Sequence, residues 1–307
     1  MEEINYVTRI HLKTACNNRK KLIDFCLNGE EKYVAIGWSY VYKNNDKIEN
    51  YEKYYKVVKN KSKKINHALN VFKETEKNDL FWTRDLEGNY WICRAEGKAI
   101  SKNREDIDVG AVVPVEAYKV GLEVPGQIKA SFTRPNGGIC ERIKSDNDII
   151  KEYSKYIFNE LSGKELYKYK KENGKFIDNL PDFDLEELVI SYIQLEKNYY
   201  LLSNSIAKHS TTIKIECEFI SRDLNNIRKS VVQVKGGKRT SLDAKEYEQY
   251  INEGYIVYLY APEVKDIDKV KNCEEITRNE LLLFYEKYKK ILPESITKWE
   301  NMFSITK

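Results

Sequence analysis

Histidine is scarce in this 307-residue chain, with three residues, and its six cysteines lie far apart without a single CxxC pair. That pattern argues against a structural zinc site, which clusters its soft ligands, and fits reduced core thiols in a reducing cytosol. A net charge of +4 is too small to argue for nucleic-acid binding by itself, although a local basic face stays open. No apolar run approaches the roughly 20 residues that span a bilayer. The start, "MEEINYVTRIHLKT", lacks a basic segment followed by an apolar one, so no signal peptide is expected. The expectation is a soluble, cytoplasmic protein without a membrane partner. Hydrophobic residues at 41% are normal for a globular chain, and the length suggests about two domains.

Residues 1–145 read mostly as strands. "YVTRIHLKT", "YVAIGWSYV", "DLFWTRDLEGNYWICRAEG" and "LEVPGQIKASFTRP" alternate, or carry β-branched and aromatic residues between Gly- and Asp-rich turns. A helical pattern interrupts them, with Val57, Ile65, Leu69 and Phe72 as its buried stripe. Polarity rises over 146–183, which reads as a short helix and a linker ending at Pro181. From 184 to 307 the order is α-β-β-α-β-α, beginning with Asp184 as the N-cap of "LEELVISYIQLEKN" and ending on a helix that opens at Thr277. The fold class expected is α/β (α+β): a small β-barrel with an inserted helix, then a mixed sheet flanked by helices.

The chemistry-bearing stretch is "TTIKIECEFISRDLNNIRKSVVQVKGG", Thr211–Gly237. A strand alternates its side chains between two faces, so Glu216 and Glu218 share one face of the first strand. Gln233 and Lys235 likewise share one face of the second. "VVQVKGG" is apolar enough for a central strand, yet it sets a lysine where burial costs most. Gly236 and Gly237 follow and allow a close approach of the backbone to a ligand. A half-exposed antiparallel hairpin alternates in the same way, so the pattern alone does not decide for a site.

An early helical glutamate (Glu186 or Glu187), a strand glutamate and Gln-x-Lys, in that order, resemble the PD-(D/E)xK nuclease superfamily. The likeness is to its Mrr-like restriction endonuclease branch, where glutamine replaces the second acid. The resemblance covers roughly residues 184–300. It implies a phosphodiester hydrolase that uses Mg²⁺, with Mn²⁺ as a substitute and no nucleotide cofactor. Glu218, Gln233, Lys235 and Glu186 would carry the reaction, and Glu218, Glu216 and the backbone of Val234 would hold the ion. Glu218 is preferred over Glu216 as principal ligand because its spacing to Gln233 suits the pattern. His209, Lys238 and Arg239 are the candidates for phosphate contact.

The amino-terminal half, with "YVAIGWSYV" leading to Gly37-Trp38 and later "DLFWTRD" and a strand bearing Tyr90 and Trp91, looks like the PUA-like barrels, including the EVE type of modification readers. In such folds aromatic side chains can cradle a flipped base. Trp38, Trp82, Trp91 and Tyr90 are the pocket candidates, against the alternative that they are core residues. Together the two resemblances imply a restriction or antiviral-defence endonuclease acting on DNA that carries a modified base, with a homodimer as a reasonable form. A non-catalytic nucleic-acid reader and an RNA-processing nuclease are the competing readings.

Overall fold

The structure is a computed structural model that describes residues 4, 6–15, 18–44, 48–59, 62–134, 137–145, 148–173, 176–206, 215–237 and 240–304. The chain divides into two units, Met1–Lys170 and Lys171–Lys307. The division falls inside the segment that the sequence marks as helix and linker. The polypeptide is mixed α/β, with strands and helices in both units.

In the first unit the strands are β1 (Val7–Ile10), β2 (Lys32–Ile36), β3 (Leu80–Arg84), β4 (Tyr90–Ala95), β5 (Ile100–Arg104), β6 (Val109–Gly121) and β7 (Cys140–Arg142). They form one sheet in the order β2-β6-β4-β3-β1-β7, with β5 also paired to β6. The thirteen-residue β6 is why the sheet curls. One edge of β6 pairs with β5 through Val109–Val112 and with β4 through Val115–Gly121, while the other edge takes β2. The curl is that of a half-barrel. Helices α1 (Arg19–Ile23), α2 (Tyr51–Val58), α3 (Lys63–Glu74), α4 (Gly126–Thr133) and α5 (Ile149–Ser162) accompany it.

The expected single helix after residue 50 is two helices, α2 and α3, each opened by a side-chain cap. Asn50 accepts from the backbone of Lys53, and Ser62 from that of Ile65. Leu69 and Phe72 are buried as expected. The buried stripe of α2 is Tyr51, Tyr54, Tyr55 and Val58, which leaves Val57 half-buried beside it.

The second unit contains β8 (Glu172–Asn173), β9 (Tyr199–Leu201), β10 (Cys217–Ser221), β11 (Lys229–Val234), β12 (Ser241–Asp243), β13 (Tyr255–Tyr260), β14 (Glu263–Lys265), β15 (Cys273–Glu275) and β16 (Phe303–Ser304). Its helices are α6 (Phe176–Asn179), α7 (Asp182–Leu195), α8 (Glu248–Asn252), α9 (Arg278–Tyr288) and α10 (Glu294–Thr297). The main sheet has the order β15-β13-β11-β10-β9. It is antiparallel from β9 to β11 and parallel from β11 to β15.

β11 is the central strand, and its run "SVVQV" is buried from Ser230 to Val234, which accounts for its apolar composition. The last long helix opens at Thr277 as the sequence predicts, and Thr277 and Glu280 cap α9 reciprocally, backbone to side chain. Asp184 is not the N-cap of α7. Pro181 holds that position, and the buried Asp184 carboxylate instead accepts the indole N–H of Trp299 at 2.9 Å. Among the described residues no helix is long and apolar enough to cross a membrane.

Candidate active site

The register of the β10–β11 hairpin decides which glutamate meets Gln233. Cys217 pairs with Val232 and Glu218 with Val231, and the backbone N–H of Glu216 donates to the carbonyl of Val232 at 2.8 Å. Glu216 therefore stands across from Gln233, and residues directly opposite share a face. The Gln233 side chain is buried, and its Nε2 donates to Glu216 Oε1 at 2.7 Å and to the Val234 carbonyl at 3.1 Å. Two oxygen acceptors thus converge on a single point next to the end of β11.

Glu218, the preferred ligand from spacing, lies two pairs further along the hairpin, across from Val231. Its carboxylate accepts the Tyr255 hydroxyl at 3.3 Å, and its backbone N–H donates to Ser205 Oγ at 2.7 Å. It shares the face of Glu216 but not the company of Gln233. Glu216, not Glu218, is thus the strand glutamate that meets Gln233.

Helix α7 supplies the third element. Glu186 is half-buried, whereas Glu187 is exposed. Burial, and then the negative charge of Glu216 and Asp182, push the Glu186 carboxyl up to about 8, with Lys235 pulling the other way. Glu186, Glu216 and Lys235 therefore lie within one electrostatic neighbourhood. The backbone turns closely past the start of α7 at Gly236, where a β-carbon would run into the Asp182 carboxyl group. Gly237 has φ +87°, a left-handed conformation that suits glycine.

Lys235 is not the buried lysine that the strand pattern suggested. β11 ends at Val234, so Lys235 is exposed, although its backbone N–H still donates to the Tyr260 carbonyl at 2.8 Å. Among the described residues no hydrogen bond or ion pair holds its ammonium group. Its charge acts on Glu186.

The donor set suits a hard divalent cation. Glu216 Oε1 and the Val234 carbonyl already converge, and Glu186, raised by burial and then by the charge of Glu216 and Asp182, stands near them. Among the described residues no three His, Cys, Asp or Glu side chains cluster closely enough to form a cage, so main-chain oxygen and water would complete the shell. His209, Lys238 and Arg239 lie outside the described residues.

The aromatic candidates of the first unit do not gather in one pocket. Trp82 is fully buried, its indole N–H donates to Ser154 Oγ at 2.9 Å, and it stacks on Tyr153. An indole so enclosed offers no face to a base, and its pocket role is set aside. Tyr90 is also buried, edge-on to Phe132. Trp38 is half-buried against the core, in a left-handed backbone conformation with φ 70°. Trp91 lies on the other face of the strand from Tyr90, donates to Asp85 Oδ2 at 2.9 Å, and lines a cavity of about 200 Å³ with Asp85, Lys20 and Lys119.

No family model and no curated protein matches the chain. Among solved structures, the MspJI restriction endonuclease in complex with a 27-mer oligonucleotide is similar over 80% of this chain and 72% of its own, at 9% identity and a TM-score of 0.24. A TM-score that low establishes neither a shared fold nor a shared activity.

Proposed function

We propose that the second unit is a divalent-cation-dependent phosphodiester hydrolase acting on DNA, in the manner of a restriction endonuclease. The observation that carries this reading is the convergence of Glu216 Oε1 and the Val234 carbonyl on one point, within electrostatic reach of Glu186 and Lys235. Mg²⁺ or Mn²⁺ held there would supply an activated water and neutralise a phosphate oxygen. Glu216 and the Val234 carbonyl hold the ion, and Glu186 supports it from α7. Lys235, extending past the strand end, donates to the phosphate and stabilises the charge that builds on it during attack. Before an ion enters, the Gln233 amide holds Glu216 in place.

The first unit would select the target. Trp91, beside Asp85 and Lys119, is the aromatic side chain best placed to meet a modified base, with Trp38 as the second candidate. Cleavage of both strands calls for two such sites, which a homodimer on DNA supplies.

Purified protein incubated with plain DNA, modified-base DNA and structured RNA, each with Mg²⁺ or EDTA, tests the reading. Cation-dependent cleavage of DNA is expected, strongest on modified DNA. Lys235→Ala is expected to slow it on the order of 100-fold or more with an unchanged circular-dichroism spectrum. Wild-type rates in that variant would overturn the assignment, and cutting of RNA alone would move the site to RNA processing.

A further inference from the structure

Next to the hairpin, the second unit holds a cavity of about 380 Å³, within the roughly 300–1,000 Å³ of small-molecule sites. Leu180, Leu185 and Pro262 give it apolar walls, and Lys235 belongs to the same lining. Four further lining groups are polar: Asp178 and Arg278, which pair with each other, and Tyr260 and Glu275. Tyr260 is only 5% exposed, yet among the described residues its hydroxyl makes no hydrogen bond. Glu275 is half-buried, and among the described residues its carboxyl group makes none either.

The Tyr260 hydroxyl oxygen is not sealed in the protein, so it is open to a ligand in the cavity. Burial pushes the Tyr260 hydroxyl up to about 12, so it stays protonated and able to donate. A ligand seated between the apolar walls can offer an acceptor to Tyr260 and a donor to Glu275. A planar heterocycle with an exocyclic amino group has this character, as a nucleobase does, and a carboxylate accepts from such an amine.

We propose that this cavity receives one unstacked base of the strand whose phosphate lies at Lys235, with Tyr260 and Glu275 reading the edge of the base. The proposal rests on the hydrolase reading above and adds to it a local opening of the duplex at the cut. Extruding a base costs unstacking and unpairing energy, and the cost is smallest at a mismatch.

The test is equilibrium binding of the whole chain, in EDTA so that nothing is cut, to a short duplex with one central mismatch and to its matched counterpart. The mismatched duplex is expected to bind about tenfold tighter. Tyr260→Phe, which removes only the hydroxyl, and Leu180→Trp, which fills the cavity, are expected to abolish that preference. Equal affinity for the two duplexes, or a preference that survives in Tyr260→Phe, would overturn the base site while leaving the hydrolase reading in place. Binding of neither duplex would overturn both. Should Leu180→Trp fail to fold, Tyr260→Phe still decides.

Discussion

The side-chain amide of Gln233 donates to Glu216 Oε1 and, from the same nitrogen, to the carbonyl of Val234. Both partners only accept, so the amide must turn its NH₂ group toward them. A cation meeting those two oxygens requires that group to swing away, and glutamine thus competes with the ion. In Gln233→Glu a second carboxylate faces Glu216, and a bound cation or a proton relieves the repulsion. Divalent-cation affinity is expected to rise about tenfold, and the cation-free protein to melt at a lower temperature. Calorimetric titration with Mn²⁺ checks this. An unchanged affinity would show that the two oxygens are not ligands.

The two glutamates of the hairpin separate on the same grounds. Glu216→Gln removes the carboxylate opposite Gln233 and is expected to slow cleavage on the order of 100-fold or more. Glu218→Gln alters a group hydrogen-bonded to Tyr255 and is expected to change the rate only a few-fold. Single-turnover cleavage rates at saturating Mg²⁺ compare them, and equal losses would return Glu218 to the site.

Which strand glutamate faces Gln233 is a matter of register. Period-two alternation identifies Glu216 and Glu218 as one face, and nothing local distinguishes them. Which of them meets Gln233 depends on how the chain between Ser221 and Lys229 closes the hairpin, and the turn sets that pairing. The apolar run of β11 and the cap at Thr277 are legible because each depends on neighbours within a few residues. Lys235 misleads for the opposite reason: its strand looks central and is central, but it stops one residue earlier. Trp82 reads as a pocket candidate because the group that encloses it, Ser154, lies 72 residues further along the chain.

Glu186 makes stability depend on pH in a direction unusual for a carboxylate. Its folded value, about 8, lies above the ordinary 4.5, so between these values the folded state holds a proton that the unfolded chain releases. The stabilisation is complete below about pH 4.5 and is lost as pH rises through about 8. In EDTA the melting temperature is therefore expected to include a component that falls from pH 5 to 8, and Glu186→Gln to lose that component. Added Mg²⁺ should offset the fall by compensating the charge. Identical pH profiles for wild type and Glu186→Gln would exclude the coupling.

The boundary of the first unit predicts which fragment folds alone. A cut at residue 145, where the strand-rich sequence ends, removes α5 and with it Tyr153 and Ser154. These two residues stack on Trp82 and accept its indole N–H. The fragment 1–145 would then expose a large aromatic surface that the complete unit buries, at a cost of about 2 kcal/mol for that side chain alone, plus the lost hydrogen bond. The fragment 1–170 is expected to unfold cooperatively and 1–145 to aggregate or melt well below it, as circular dichroism and analytical gel filtration would show. Trp82→Phe in 1–170 keeps most of the ring and gives up the bond to Ser154, so its expected loss is about 1–2 kcal/mol in chemical denaturation. Equal stability of 1–145 and 1–170 would mean that α5 is not part of this unit's fold, and any test of base recognition could then use the shorter piece.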